Sequence, residues 1–232
     1  MEIDLNADLG EGAGTDAALM PLITSANISC GAHAGDDTTI RAALRLARQN
    51  GVRIGAHPGY PDRANFGRTP VDEPSDELTD KLIEQVRSLV DRANELGLTV
   101  AYLKPHGALY NQAAANRSFA EMVCAVAEAA GLPLVGLPES QMETISLLEG
   151  IPFYSEGFAD RRYNPDGTLV PRSEPNAVLH DANEVVEQVL SLIESTRVRT
   201  ICVHGDTPDA VAFTSAVRAQ LLALGITIKA FV

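Results

Sequence analysis

Residues 25–57 read SANISCGAHAGDDTTIRAALRLARQNGVRIGAH. Apolar runs at 26–30 and 52–56 flank residues 38–50, where Ile40, Ala43, Leu44 and Ala47 recur at helical spacing. Asp37 or Thr38 stands where an N-cap belongs, and Gly51 where a left-handed residue ends a helix. Strand, helix and strand in that order make a βαβ unit, whose two strands run parallel.

The alternation continues on both sides. Residues 2–7 read as the preceding strand. Downstream, residues 75–96 carry Leu78, Leu82, Val86, Leu89, Val90 and Ala93 on one face, with Ser75 placed to start the helix and Gly97 to stop it. Strands are expected at 99–103, 134–137, 153–155, 200–203 and 226–230, and helices at 118–130, 141–149, 183–195 and 209–224. No helix is expected between 103 and 118. Seven or eight βα units in 232 residues, 45% of them hydrophobic, favour one α/β domain over residues 1–232 and a closed, distorted β/α barrel over an open sheet. The stretches 57–74 and 157–181 are too long and polar for plain turns, and both leave the same end of the strands, where they are expected to cover a site.

Asp and Glu number 31 against 18 Lys and Arg, a formal charge of −13, which argues against nucleic acid and against an anionic membrane surface as partners. No stretch reaches the roughly 20 apolar residues of a membrane span, and no basic region precedes an apolar one at the start, so a soluble, cytoplasmic protein is expected. The three cysteines, Cys30, Cys124 and Cys202, are too widely spaced for a disulfide framework or a zinc knuckle and read as buried thiols.

Four of the five histidines, His33, His57, His106 and His204, follow apolar strand runs. Ligands of parallel α/β folds bind beyond the carboxyl ends of strands, so the four imidazoles are expected on one rim. Asn6, Asp8 and Glu11 sit on a glycine-flexed turn after the first strand, where carboxylates serve as metal ligands or general bases. Cys30 and His33 admit a thiol nucleophile with its base, although a cysteine closing an apolar strand is more often a core residue. Lys104 ends a strand, and Asp160, Arg161 and Arg162 lie on the second long stretch, where cations hold carboxylates or phosphates. Thr207 and Pro208 read as the cap and first residue of the last helix. Neither a Walker A sequence nor Gly-x-Gly-x-x-Gly after a strand is present.

Eight ordered strings, NADLGEG, TSANISCGAHAGD, IGAHPGYPD, FGR, LKPHGALYN, EGFADRRY, LVPR and CVHGDTP, together resemble the LamB/YcsF family from residue 2 to about residue 208. The chain departs from that family's pattern at Ala32, usually Phe, and Asp37, usually Pro. The resemblance implies a seven-stranded barrel similar to glycoside hydrolase and deacetylase barrels, in a cytoplasmic complex with 5-oxoprolinase subunits B and C. It also implies ATP-coupled opening of the small lactam 5-oxoproline to glutamate. On that chemistry Lys104 and Arg161 hold anions, Asp8 is the base or a metal ligand, and His57 and His106 transfer protons or ligate metal. Asn6, His33, Asn111 and His204 complete the substrate-binding set. Two alternatives stand beside it: an ATP-independent amidohydrolase with a divalent metal on Asp8, His57 and His106, and a noncatalytic subunit that binds substrate. Formation of a homo-oligomer is left open.

Overall fold

Strand β1 (Glu2–Leu9) alternates with period two: Ile3, Leu5, Ala7 and Leu9 are buried on one side, Asp4, Asn6 and Asp8 on the other. The apolar set packs against helices, and the polar set faces the inside of a barrel. The computed structural model describes residues 1–195, 197–206 and 209–232. Six more parallel strands follow, β2 (Ser25–Ser29), β3 (Arg53–His57), β4 (Val100–Leu103), β5 (Leu134–Gly136), β6 (Phe153–Phe158) and β7 (Thr200–Val203). They pair in sequence order, and β1 closes the ring by pairing with both β2 and β7. The expected seven-stranded barrel is therefore present, and so is its distortion: the register breaks between Ile54 and Gly55, and β4 meets β5 through a single residue pair, Leu103 with Leu134.

Eight α-helices accompany the strands among the described residues: α1 (Asp16–Leu19), α2 (Asp37–Asn50), α3 (Asp76–Glu95), α4 (Gly107–Ala115), α5 (Arg117–Ala130), α6 (Gln141–Glu149), α7 (Ala182–Ser195) and α8 (Ala210–Ala223). Helix α4 departs from expectation. Pro105 and Gly107 read as loop punctuation, yet the helix starts at Gly107, which takes φ +55°. A side chain there would put its Cβ 2.7 Å from the Gly67 carbonyl oxygen. The N-cap of α2 is Asp36, which accepts from the Thr39 backbone N–H at 2.8 Å; Asp37 lies inside the helix, paired with Arg41 and Arg92. Gly51 does end the helix, at φ 67°. The expected cap at Thr207 and Pro208 lies outside the described residues.

Three strand ends also differ. β1 runs two residues past the expected 2–7, so Asn6 and Asp8, expected on the turn after it, stand inside the strand, paired with Ser25 and Asn27. β6 runs three residues beyond the expected 153–155, because Glu156, Gly157 and Phe158 pair with Thr200, Ile201 and Cys202. Of the expected 226–230, Thr227–Ile228 pairs with Glu2 and Ile3 as a short strand β8 beside the ring. The apolar side of β1 divides between two packed regions. Ala7 and Leu9 join Ile28, Ile40, Leu44, Leu82 and Leu89 beneath α2 and α3, and Ile3 and Leu5 join Val185, Val189, Phe213 and Val217 beneath α7 and α8. No described helix is long and apolar enough to cross a membrane.

Candidate active site at the carboxyl end of the barrel

β/α barrels usually fill their interior with branched apolar residues; this one holds a polar column. At its foot Asp4 accepts from Thr24 at 2.6 Å, from Ser25 at 2.7 Å and from Thr200. Burial is the main cause that pushes the Asp4 carboxyl up to about 6, against these hydrogen bonds. Above it Asn6 donates to Glu156 at 2.9 Å and to Thr200 at 2.6 Å, and Asn27 donates to Asn6 and to Asp8, each at 2.7 Å. Tyr102 donates to Asn27 at 2.7 Å. The column ends in Lys104, whose Nζ lies 3.1 Å from Asp8 Oδ1, 2.9 Å from Glu156 Oε1 and 3.1 Å from Cys202 Sγ. Burial works against the lysine's charge, but Asp8, Cys202 and Glu156 raise its pKa well above the ordinary value, so it stays an ammonium. Burial alone would raise the Asp8 carboxyl, but Lys104, followed by His57 and His204, holds it well below the usual carboxylate range.

Beyond β3 and β4, His57 Nδ1 meets the Lys104 carbonyl oxygen at 2.8 Å, and His106 Nε2 meets the Phe66 carbonyl oxygen at 2.8 Å. The two rings then face each other, His106 Nδ1 3.0 Å from His57 Nε2. Glu11 Oε1 lies 3.5 Å from His106 Nδ1 and 3.0 Å from His33 Nε2, and His33 stacks on His106 at 3.8 Å. Burial is the largest influence on all three shifted groups here. It pushes His33 down to about 2 and His106 well below the usual imidazole range, and with Asp8 it raises Glu11 well above the usual carboxylate range. This buried His/Glu cluster is a donor set able to hold a metal ion. Asp8, expected as a ligand with His57 and His106, stands at its edge, Oδ2 3.5 Å from His57 Nε2.

A cavity of about 870 Å³ opens over this floor and is lined by Asp8, His57, Lys104, His106, Asn111 and His204, with the buried Arg161 and, partly exposed at its mouth, Arg68 and Arg172. His204 Nδ1 pairs with Asp160 Oδ1 at 2.8 Å, and its ring stacks on Phe158. Asn6 and His33, expected to bind substrate, are not among the residues that line the cavity. Arg161 touches the cavity, but its guanidinium is used within the chain, donating to the carbonyls of Val170 at 2.6 Å and Ala177 at 3.4 Å, so it shapes the 157–181 stretch. Arg162 pairs with Glu184 in solvent. Cys30 takes its core reading rather than that of a nucleophile: it is buried, burial pushes the thiol up to about 12, and its sulfur approaches the Ile28 carbonyl at 3.9 Å.

Several site residues escape the sequence reading. Glu156 falls past the expected end of its strand, and Asn27 and Tyr102 read as ordinary strand residues. Arg68 and Arg172 meet at Asp206 Oδ2, at 2.5 Å and 3.4 Å, so one carboxylate ties both long stretches together across the mouth. The period-two alternation of β1 is the signal that would have found the polar column.

The LamB/YcsF family model matches residues 3–232. The A subunit of 5-oxoprolinase from Neisseria meningitidis serogroup C (strain 053442) is 48% identical over 243 aligned positions that cover 99% of each chain. Its counterpart from Methylococcus capsulatus (strain ATCC 33009 / NCIMB 11132 / Bath) is 43% identical, covering 98% of this chain and 95% of that one. Among solved structures, the lactam utilization protein from Thermus thermophilus superposes with a TM-score of 0.91 at 35% identity over the whole of both chains. A family 4 carbohydrate esterase from Streptomyces lividans shares the fold alone, with a TM-score of 0.56 at 11% identity over 100% of this chain and 93% of that one. On near-full-length identity and on the family match alike, the chain belongs to the LamB/YcsF family.

Proposed function

We propose that this chain is the lactam-handling component of an ATP-dependent 5-oxoprolinase. With subunits B and C, 5-oxo-L-proline and water give L-glutamate while ATP and water give ADP and phosphate. The observation that carries the reading is identity of 43–48% over nearly the full length to proteins named as the A subunit of 5-oxoprolinase. The cavity supports it, because its charges suit a small anionic amide.

The ring amide is a poor electrophile, and phosphoryl transfer from ATP to its oxygen would activate the ring carbon: water adds there, the C–N bond breaks as the nitrogen takes a proton, and a second water releases phosphate from the acyl phosphate to leave glutamate. What this chain contributes is a buried place for the remaining steps. Arg68 and Arg172 at the mouth take the substrate carboxylate, since guanidinium groups pair with carboxylates in two-pronged fashion. Lys104, held charged by Asp8 and Glu156, donates to the amide oxygen and offsets the negative charge of the phosphoryl group it carries. The ring carbon and the attacking water lie over the His57–His106 wall that floors the cavity. Asp8 is a poor proton acceptor at neutral pH because its carboxyl is held so low, so its part is to fix Lys104.

A second reading is favoured by the buried His/Glu cluster: hydrolysis of an amide with a divalent metal and without ATP. The test is glutamate release from 5-oxoproline by the chain alone and with its partner chains, each with and without ATP. Release confined to the complex with ATP is the expected result. Release by the isolated chain without ATP moves the assignment to the second reading, and no release from the complex overturns the first.

A further inference from the structure

We propose that Glu11 Oε1, His33 Nε2, His57 Nε2 and His106 Nδ1 are the ligands of one divalent transition-metal ion, with Asp8 outside the ligand set. Hydrogen bonds behind two of the rings leave no choice of tautomer. A carbonyl oxygen only accepts, so the contacts to Lys104 and Phe66 require protons on His57 Nδ1 and His106 Nε2. In the neutral rings the atoms that face each other, His57 Nε2 and His106 Nδ1, are then two bare lone pairs at 3.0 Å. Glu11 Oε1, an acceptor when ionised, lies 3.5 Å from the second and 4.0 Å from the first.

Acceptors converge in this way around a cation. A shared proton would bridge one pair of them, whereas four ligand atoms here lie within 4.8 Å of one another. Donors about 2.1 Å from a tetrahedral ion stand about 3.4 Å apart, close to the 3.0, 3.0, 3.5 and 4.0 Å separations observed among these atoms. The backbone carbonyls behind two of the imidazoles are the outer partners that orient metal-bound histidines and raise their basicity. His33 Nδ1 is buried with no hydrogen-bond partner, so nothing on that side competes for the ring.

Three imidazoles and a carboxylate suit zinc or cobalt rather than magnesium or calcium. Such an ion would supply Lewis acidity at the cavity floor. Asp8 is excluded because Oδ1 is committed to Lys104 and Asn27, and Oδ2 reaches His57 Nε2 at 3.5 Å without joining the other donors. The ion site belongs to the cavity of the proposed reaction but stands whether or not ATP drives it.

The chain is stripped with a chelator, dialysed and titrated with Co²⁺, followed by calorimetry and by the visible bands of four-coordinate cobalt. One ion per chain is expected, displaced by Zn²⁺. Glu11→Gln and His33→Gln should each weaken binding by more than about 100-fold, and Asp8→Asn by no more than the roughly 10- to 100-fold cost of an outer partner. Circular dichroism checks that each variant folds, and the wild-type stoichiometry and spectrum decide the matter if a variant does not. No cobalt uptake by the stripped chain overturns the proposal, as does uptake that survives Glu11→Gln and is lost in Asp8→Asn. Cobalt binding by a chain whose complex leaves 5-oxoproline intact would overturn the reaction and leave the metal site standing, and the converse result would separate them the other way.

Discussion

Lys104 is 1% exposed and bears its charge between two carboxylates, so its place in the molecule is structural and chemical at once. Removing one partner of a buried ion pair leaves the other charge uncompensated, typically at about 3–5 kcal/mol. Lys104→Met should therefore lower the thermal midpoint well before any assay is run, and an unchanged midpoint would show that Asp8 and Glu156 are not both ionised beside it. Arg172 is the cleaner probe of chemistry, since it lies at the mouth, partly in solvent. Arg172→Gln should raise KM for 5-oxoproline by about 10- to 100-fold, the worth of a hydrogen bond to a charged group of about 1.5–3 kcal/mol, with kcat little changed. Binding of 2-pyrrolidinone, which lacks the carboxylate, should not distinguish variant from wild type, and equal losses on both ligands would remove Arg172 from the carboxylate subsite.

Among the elements, β3 and β4 show how one glycine sets the interior. A Cβ at Gly55 would lie 2.1 Å from the Tyr102 ring, which is aimed across the barrel to donate to Asn27. Gly55→Ala should cost about 1–3 kcal/mol, the usual range for overpacking, and lower the melting temperature by several degrees; a midpoint equal to wild type would mean the ring has room to move. This glycine sits in a run, Ile54-Gly55-Ala56-His57, that reads as an ordinary strand, and its reason lies in a residue of the next strand. Helix α4 teaches the same lesson. The signals at Pro105 and Gly107 are real punctuation, but they mark a turn pressed against Gly67, after which residues 107–115 bury Leu109, Tyr110 and Ala113. The helix α2 stripe, by contrast, needed no context: Ile40, Ala43, Leu44 and Ala47 are the residues it buries.

Across the whole molecule, buried and half-buried carboxylates make stability depend on pH in two opposed ways. The folded chain keeps the Asp4 proton to about pH 6 while an unfolded chain releases it near 3.8. Between those values the folded state binds more protons, so this group's contribution falls as pH rises, by about 3 kcal/mol in all. Asp8, Asp160 and Asp206, held low, act in the other direction: their contribution is present at neutral pH and is lost as pH falls through the acid range. Denaturant unfolding of wild type and Asp4→Asn at pH 4, 5 and 6 separates the two, because the difference between the curves should move by about that amount against the wild type. Parallel curves would show that folding leaves the proton affinity of Asp4 unchanged.

The chain's local chemistry alone determined the order of strands and helices, most of their limits, the barrel class and the strand ends on which His33, His57, His106 and His204 stand. Hydrophobic spacing and capping act over a few residues, so a sequence displays them directly. Only the tertiary structure decided which groups meet: Glu156 and Asp8 on Lys104, Arg68 and Arg172 on Asp206, Glu11 among three imidazoles. Those pairings join residues distant along the chain, and their distances depend on barrel closure and on the tilt and register of seven strands. Even Arg161 and Asp8, singled out by residue type, took their actual tasks from neighbours that no local spacing reveals.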